Sequence, residues 1–189
     1  MIKNIGILGG TFNPPTIAHI WIAQQVLEDE KLDEIWFMPN YTSKNYSKKM
    51  SVSSEHRFNM CQCIEKNFYQ IYASNIEIVN KFEYTYQLVD HLTSCVYLRD
   101  NTYNLIIGGD WNISKFKKWK EITNKINVIK FHRPRINNNY KHQNIRFDLS
   151  STMIRKRISE GKIITGLVIP SVEQYIKETK LYKSWLLSS

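Results

Sequence analysis

The sequence is poor in the features from which small secreted folds and membrane proteins are built. Its three cysteines, Cys61, Cys63 and Cys95, are too few for a disulfide framework and lack the CxxC spacing of a zinc site. No apolar run approaches the length that spans a bilayer, and the apolar start, residues 1–8, is too short for a signal peptide. We therefore expect a soluble, cytoplasmic protein with reduced thiols.

Acidic residues are also scarce relative to basic ones. The chain has 17 Asp and Glu against 26 Lys and Arg, a formal net charge of +9. Such a balance suits anionic partners, which include nucleotides, nucleic acid and membrane surfaces. The abundance of Asn, Lys, Ile and Tyr along the whole chain is typical of a coding bias, so the charge alone does not choose among these partners.

No linker rich in Gly, Pro or Ser divides the 189 residues, which predicts one domain, 1–189. Apolar runs of strand length alternate with segments of helical spacing or length, and this alternation indicates βαβ units and a parallel sheet. The predicted strands are 5–8, 35–38, 76–79, 105–107 and 126–131, and the predicted helices are 17–29, 54–66, 86–98, 114–124, 151–160 and 171–179. We expect an α/β fold with a doubly wound parallel sheet, and surface loops at 40–53 and 133–143.

Two of the predicted strands end in glycine pairs. Gly9 and Gly10 follow the first strand, and Gly108 and Gly109 follow the fourth, directly before Asp110. Ligands of doubly wound sheets bind beyond the carboxyl ends of the strands, where the strand order reverses. If the two strands are neighbours at that point, both glycine turns face one crevice, which we predict binds a nucleotide.

The first glycine turn leads into a helix through the segment GGTFNPPTIAH, residues 9–19. Glycine lets the backbone approach a ligand closely, and the start of a helix offers N–H groups to phosphate. Thr16 is the predicted N-cap, which places His19 at position N3. From there the histidine can donate to a phosphate oxygen whose charge grows during transfer. Taken alone, the segment fits an ordinary tight turn equally well.

The segment 9–19 resembles the GGTFDPx(H/T)xGH signature of nucleotidyltransferases of the HIGH superfamily. About 130 residues later, LSSTMIR at 149–155 resembles their ISSTxIR motif, in the same order along the chain. Further segments are similar to those of nicotinate or nicotinamide mononucleotide adenylyltransferases: IWFMP at 35–39, EHRFNM at 55–60, YT at 84–85, GGD at 108–110, FKKWK at 116–120, HRP at 132–134 and LVIPSVEQYI at 167–176. The resemblance implies a Rossmann-like nucleotidyltransferase fold and adenylyl transfer from ATP to a pyridine mononucleotide.

Three positions depart from the residues that are usual in nicotinate or nicotinamide mononucleotide adenylyltransferases. Thr16 stands where histidine is usual, Ala18 replaces a glycine and Asn13 replaces an aspartate. Threonine at the first of these positions is usual in pantetheine-phosphate adenylyltransferases, so transfer to phosphopantetheine is an alternative, opposed by the segments at 55–60, 116–120 and 167–176. A basic nucleic-acid-binding domain is a third interpretation. The segments at 116–120 and 132–134 favour nicotinate over nicotinamide as the acceptor.

The resemblance also implies which residues bind ATP. Backbone groups of the glycine turn hold the nucleotide, the first helix contacts its phosphates, and the start of a later helix binds the terminal phosphates. The implied ATP-binding residues are Gly9, Gly10, Thr11, Phe12, Thr16, His19, Ser151, Thr152 and Arg155. Of these, Thr16, His19 and Arg155 are expected to take part in catalysis. The alternatives are simple helix capping for the two hydroxyl residues of the second motif and a surface position for Arg155.

An acceptor site is implied on the other side of the crevice. Trp119 is expected to stack on the pyridine ring, while Phe116 is expected in the core. The implied acceptor-binding residues are Lys44, Thr85, Gly108, Asp110, Trp119 and Arg133. Mg²⁺ is expected with the ATP phosphates, held by phosphate and water, so no protein metal site is predicted. The expected partners are ATP and a pyridine mononucleotide, without nucleic acid or membrane, and a homo-oligomer is left open.

Overall fold

A computed structural model of the protein describes residues 2–41, 52–108, 113–131 and 149–182. Helices and strands alternate along these residues. The strands are β1 (Asn4–Gly10), β2 (Glu34–Pro39), β3 (Ile71–Ala73), β4 (Thr102–Gly108) and β5 (Asn127–Phe131). The helices are α1 (Ile17–Asp29), α2 (Ser54–Glu65), α3 (Ile76–Val79), α4 (Thr85–Ser94), α5 (Trp119–Lys125), α6 (Ser151–Ser159) and α7 (Pro170–Glu178), and a 3₁₀ turn covers Ile113–Lys115.

The strands of the described residues pair in parallel in the order β3-β2-β1-β4-β5. The central strand is β1, where Ile7 lies opposite Trp36 of β2 on one side and Leu105 of β4 on the other. The chain runs outward from β1 to β3 and then crosses to β4, so the strand order reverses between β1 and β4. The two glycine-ended strands are therefore neighbours at the switch point, and the predicted doubly wound parallel sheet is confirmed.

The predicted third strand is wrong. Residues 76–79 form the one-turn helix α3, with no buried residue, and the third strand is Ile71–Ala73. Ile71 is 2% exposed and pairs with Ile35 of β2, whereas the bond from the Ser74 N–H to the Phe37 carbonyl ends the pairing. A run of four residues with two isoleucines fits a strand and a helical turn equally well, and tertiary packing decides between them.

Two predicted helices differ from the structure by more than one residue at an end. The helix predicted at 86–98 covers Thr85–Ser94, and the one predicted at 114–124 divides into the 3₁₀ turn and α5. Lys118 causes this division, since its φ of 56° lies in the left-handed region, where a right-handed helix cannot continue. The predicted surface loops fall largely on residues 42–51 and 132–148, outside the described residues.

Apolar side chains bury both faces of the sheet. One cluster packs α1, α2, α6 and α7 against a face that includes Phe37 and Ile106, and the other packs α4 and α5 against Ile5 and Ile7. Successive residues of a strand point to opposite faces, which is why neighbours along one strand join different clusters. The three cysteines are free, with Cys61 buried. Among the described residues, no helix is long and apolar enough to cross a membrane.

Candidate nucleotide site

The loop between β1 and α1 is anchored through its carbonyl oxygens. Arg57 of α2 donates to the Thr11 carbonyl at 3.0 Å. From α6, Arg155 donates to the Asn13 carbonyl at 2.8 Å and the Ser151 hydroxyl donates to a third loop carbonyl, that of residue 14, at 2.7 Å. Phosphate binds N–H groups and not carbonyl oxygens, so this anchoring does not compete with an anionic ligand.

The start of α1 orients the imidazole of His19. Thr16 is the N-cap and His19 occupies N3, as predicted. The Thr16 N–H donates to His19 Nδ1 at 3.0 Å, and Thr16 Oγ1 lies 2.9 Å from the same nitrogen. Because a backbone N–H can only donate, Nδ1 carries no proton, and the neutral ring has its N–H at Nε2. The cap therefore makes His19 a hydrogen-bond donor at Nε2.

The ring of Phe12 packs against the imidazole of His19. Its ring is 2% exposed and meets the imidazole edge-on, with ring centroids 5.2 Å apart. Its backbone has a φ of 48°, in the left-handed region that a bulky residue rarely adopts. Because the Phe12 side chain is buried, the predicted contact of Phe12 with the nucleotide would have to come from its backbone.

The two glycines of the loop have different surroundings. A Cβ added at Gly10 would lie 3.1–3.3 Å from the Phe12 ring, whereas one added at Gly9 would meet no protein atom within 4 Å. The Gly10 carbonyl also accepts from the Asn40 N–H at 3.0 Å, which connects this loop to the end of β2. A side chain at Gly10 would thus press on the Phe12 ring, while Gly9 borders open space at the carboxyl edge of the sheet.

The second predicted motif opens α6. The Ser150 hydroxyl accepts from the Met153 N–H at 3.2 Å and caps the helix, which begins at Ser151 as the motif predicts. Arg155 is 4% exposed and donates from Nη2 to the Thr152 hydroxyl at 3.1 Å. The alternative of a surface position for Arg155 is therefore wrong. This guanidinium joins the two motifs, which are distant in the sequence.

Asn13, which departs from the resembled signature, is buried and bonded. It is 1% exposed, and its Oδ1 accepts from the hydroxyl of Tyr182 at 2.6 Å. An amide oxygen accepts this bond as a carboxylate oxygen would, without placing a charge in the interior. No role was assigned to Tyr182 from the sequence, because nothing in the local pattern connects it with residue 13.

Arg57 is the second residue that sequence reasoning missed, although it lies in the segment EHRFNM. Besides the Thr11 carbonyl it donates to Asn40 Oδ1 at 3.0 Å, to the Asn40 carbonyl at 2.6 Å and to the Tyr41 carbonyl at 3.3 Å. One signal could have found it. Arg57, Met60 and Ile64 recur at helical spacing, and all three are buried on one face of α2.

Two of the residues predicted to bind the acceptor lie at the starts of α4 and α5. Thr85 is the first residue of α4, and Gln87 at N3 accepts from the Tyr84 N–H at 3.0 Å, which caps the start of this helix. Lys117 Nζ lies 4.0 Å from the centroid of the Tyr84 ring, which brings the segment before Trp119 against the start of α4. Two of the predicted acceptor residues, Thr85 and Trp119, are thus on adjoining elements.

Trp119 and Phe116 contact each other, with ring centroids 5.0 Å apart and planes inclined by 44°. Both are partly buried against the core cluster beneath α4 and α5. Gly108 ends β4, beside the end of β1. The remaining predicted acceptor residues, Lys44, Asp110 and Arg133, lie outside the described residues.

Comparison with known proteins agrees with the motifs. Residues 7–157 match the cytidylyltransferase-like family. The chain is 31% identical to a probable nicotinate-nucleotide adenylyltransferase of Shouchella clausii, over 96% of this chain and 97% of the relative. It is 33% identical, with the same coverage, to the probable nicotinate-nucleotide adenylyltransferase of Oceanobacillus iheyensis.

Solved structures share the fold. A putative nicotinate-nucleotide adenylyltransferase from Vibrio parahaemolyticus superposes with a TM-score of 0.70 at 24% identity, over 96% of each chain. The nicotinic acid mononucleotide adenylyltransferase of Plasmodium falciparum, complexed with NaAD, superposes with a TM-score of 0.65 at 21% identity, over 95% of this chain and 97% of that one. At these identities the likeness shows the fold, and the relatives in sequence carry the family assignment.

Proposed function

This chain belongs to the cytidylyltransferase-like family, among relatives described as nicotinate-nucleotide adenylyltransferases, and from that premise we propose that it transfers an adenylyl group from ATP to nicotinate mononucleotide. The products are the dinucleotide and pyrophosphate. The observation that carries the proposal is the joining of the two motifs: Arg155 and Ser151 of α6 bond to carbonyls of the loop that leads into α1. This union supports a single phosphate site served by both helices.

The reaction needs positioning and charge stabilisation but no enzyme nucleophile. A phosphate oxygen of the acceptor attacks the α-phosphorus of ATP, the bond to the bridging oxygen breaks, and pyrophosphate leaves with that electron pair. We assign to His19 Nε2–H the donation of a hydrogen bond to an α-phosphate oxygen as its negative charge grows. The Nδ1 bond to Thr16 keeps this donor in place, so Thr16 acts through the histidine.

The α-helix starts supply the remaining positive potential. The N-termini of α1 and α6 offer N–H groups and the positive ends of their dipoles to phosphate. Backbone groups of Gly9, Gly10, Thr11 and Phe12 would hold the nucleotide. We assign the terminal phosphates to the first turn of α6, where Thr152 is exposed and Arg155 lies behind it. Because the Arg155 guanidinium is buried, we expect it to reach a phosphate only beside the first turn of α6.

Magnesium enters this scheme as part of the MgATP substrate. The described residues contain no group of three His, Cys, Asp or Glu side chains that could hold a metal ion. Most of the groups assigned to the phosphates are N–H donors and an arginine, which donate to phosphate and cannot coordinate Mg²⁺. We therefore propose that the ion is held by the ATP phosphates and water.

For the acceptor we propose a position between Thr85, Gly108 and Trp119, completed by Lys44, Asp110 and Arg133. The contact between Lys117 and the Tyr84 ring supports this, because it holds the two aromatic-rich segments together. The whole chain, 1–189, would act as one nucleotidyltransferase domain. Nicotinate is proposed over nicotinamide because the relatives above are nicotinate-nucleotide enzymes by description.

The test is a product assay with MgATP and each acceptor in turn. We expect pyrophosphate and a dinucleotide from nicotinate mononucleotide, and a lower kcat/KM with nicotinamide mononucleotide. Thr16 keeps one alternative open, since threonine is usual at this position in enzymes that act on phosphopantetheine. Product from phosphopantetheine, with none from either pyridine mononucleotide, would establish that alternative and overturn the proposal.

A further inference from the structure

Arg57 connects the carboxyl ends of two neighbouring strands. Its side chain is 3% exposed, and it donates to the carbonyls of Thr11, Asn40 and Tyr41. Thr11 follows β1, and the other two follow β2. A backbone bond from the Asn40 N–H to the Gly10 carbonyl, 3.0 Å long, joins the same two turns. The guanidinium thus links the nucleotide loop to the turn after β2, through backbone carbonyls and the side-chain oxygen of Asn40.

Glu77 lies against the same turn from α3. Its carboxylate accepts a hydrogen bond from the Tyr41 N–H and interacts electrostatically with the Arg57 guanidinium. Burial raises the pKa of Glu77 to about 7, and the Tyr41 bond and the Arg57 charge limit that rise. Tyr41 is therefore held at its N–H by an acid and at its carbonyl by an arginine.

We propose that Arg57 and Glu77 are paired positioning residues, which hold the turn Asn40–Tyr41 against the backbone of Thr11 and so shape the nucleotide loop. The role rests on the proposed adenylyl transfer. The bonds that Arg57 makes to Thr11, Asn40 and Tyr41 end on loop or turn oxygens, and through the bond to Thr11 it acts on the nucleotide loop. A planar guanidinium with five donors suits several fixed carbonyls, whereas a lysine ammonium is a point charge on a flexible stem.

The charge on Glu77 sets how firmly the turn is held. Among the residues that the structure describes, the groups that face its carboxyl are the Arg57 guanidinium, from α2, and the Tyr41 N–H, from the turn after β2. A carboxylate accepts from an N–H about twice as strongly as a neutral acid does, and only the carboxylate pairs with Arg57. While α3 stays in place and Glu77 stays buried, the Tyr41 bond and the Arg57 pairing, which favour the carboxylate, therefore strengthen as the pH rises through the pKa of Glu77, and ATP binding strengthens with them.

Equilibrium binding of MgATP, in the form of a non-hydrolysable analogue, tests the pair without any acceptor. For Arg57→Lys we expect roughly ten-fold weaker binding, because lysine keeps the charge but loses the fork of donors. The matched control is Arg99→Lys, since Arg99 is exposed and pairs with Asp100 at 3.8 Å. That control should bind the analogue as the wild type does.

Glu77→Gln tests the titration with little change of shape. Glutamine keeps the size and an acceptor for the Tyr41 N–H but cannot ionise. The measured quantity is the ratio of wild-type to variant affinity at about pH 6 and about pH 8, on either side of the Glu77 pKa of about 7. Titration of the nucleotide phosphates cancels in this ratio, which we expect to rise several-fold with pH.

The control for this variant is Glu173→Gln. Glu173 is 8% exposed, and its bonds to Lys177 and Thr165 are part of what lowers its pKa, so it does not titrate near neutral pH. Its affinity ratio to the wild type should not change with pH. Only Glu77→Gln should show the change, which a purely structural role for the buried acid would not produce.

The outcomes separate the two proposals. A pH-independent ratio for Glu77→Gln overturns the pairing even if Arg57→Lys fails to fold, and so does wild-type affinity in a folded Arg57→Lys. Wild-type protein that binds the analogue but forms no dinucleotide contradicts the proposed function and leaves the binding result to decide the pairing. Wild-type protein that does not bind the analogue contradicts both.

Discussion

Two glycines of the central strand, three residues apart, allow a loss of stability to be separated from a loss of nucleotide binding. Alanine at Gly6 would press a methyl group into the side chains of Leu32, Ile35 and Ile106. Overpacking of this kind costs about 1–3 kcal/mol of unfolding free energy. Alanine at Gly9 meets no protein atom within 4 Å, so Gly9→Ala should leave the stability unchanged or raise it by up to about 1 kcal/mol.

Nucleotide binding should respond in the opposite way. The methyl group of Gly9→Ala would occupy the space at the carboxyl edge of the sheet that we assign to ATP, where only a bare backbone permits close approach. We expect the Kd of a MgATP analogue to rise at least roughly ten-fold, equivalent to about 1.4 kcal/mol. Gly6→Ala should keep its affinity under conditions where it is folded. Urea denaturation reports the stability of both variants, and calorimetric titration reports their affinity.

The reasoning is refuted if Gly9→Ala binds the analogue as tightly as the wild type does. In that case the open space beside Gly9 is not where the nucleotide lies, and the loop's role in the site is wrong. A folded Gly6→Ala that loses affinity would equally contradict the division between packing and binding glycines.

Three further predictions concern the buried and charged groups around the loop. His19→Ala should lower kcat by about 10²- to 10³-fold with a small change in ATP affinity, since its donor acts mainly on developing charge; an unchanged kcat would contradict this. Arg155→Ala should raise the ATP concentration that half-saturates the enzyme and lower the unfolding free energy by about 1–3 kcal/mol, because the buried Asn13 carbonyl loses its donor. Arg157→Ala, on the same helix, should change neither quantity comparably. The unfolding free energy of the wild type should fall as the pH rises from about 4.5 to about 7, because the folded state keeps the Glu77 proton that the unfolded chain releases. Glu77→Gln should lack this fall. The same pH dependence of the unfolding free energy in both proteins, measured by urea titration, would contradict the prediction.

The fold was predictable where elements are long and their periodicity is clear. The runs at β1, β2 and β4 have apolar residues at most positions, as strands buried on both faces do, and the glycine pairs marked the ends of two of them. The 3₁₀ turn before α5 was not predictable, because the left-handed backbone of Lys118 breaks a segment whose spacing is helical throughout. Local spacing carries no information on a backbone conformation that tertiary contacts impose.

In the candidate site, too, local contacts could be predicted and contacts between distant residues could not. Thr16 and His19 could be predicted because capping is local, and the spacing of cap and N3 residues sets their contact. The bonds that anchor the loop could not be, because they come from residues far along the chain: Arg57 lies 46 positions from Thr11, and Arg155 lies 142 positions from Asn13. An arginine on the apolar face of a predicted helix is the one local sign of such a role.

The mispredicted element and the missed arginine belong to one arrangement. As the predicted third strand, residues 76–79 would extend the sheet, and Glu77 would point to the opposite face from Ile76 and Ile78. As the helix α3, the same residues place the Glu77 carboxyl against the Tyr41 N–H, beside Arg57. A half-buried acid is costly unless it is paired, and its partners come from α2 and the turn after β2. The helical conformation therefore agrees with the charge pairing at this turn, which no local pattern reveals. Glu77→Gln should weaken the pH dependence of analogue binding without unfolding α3.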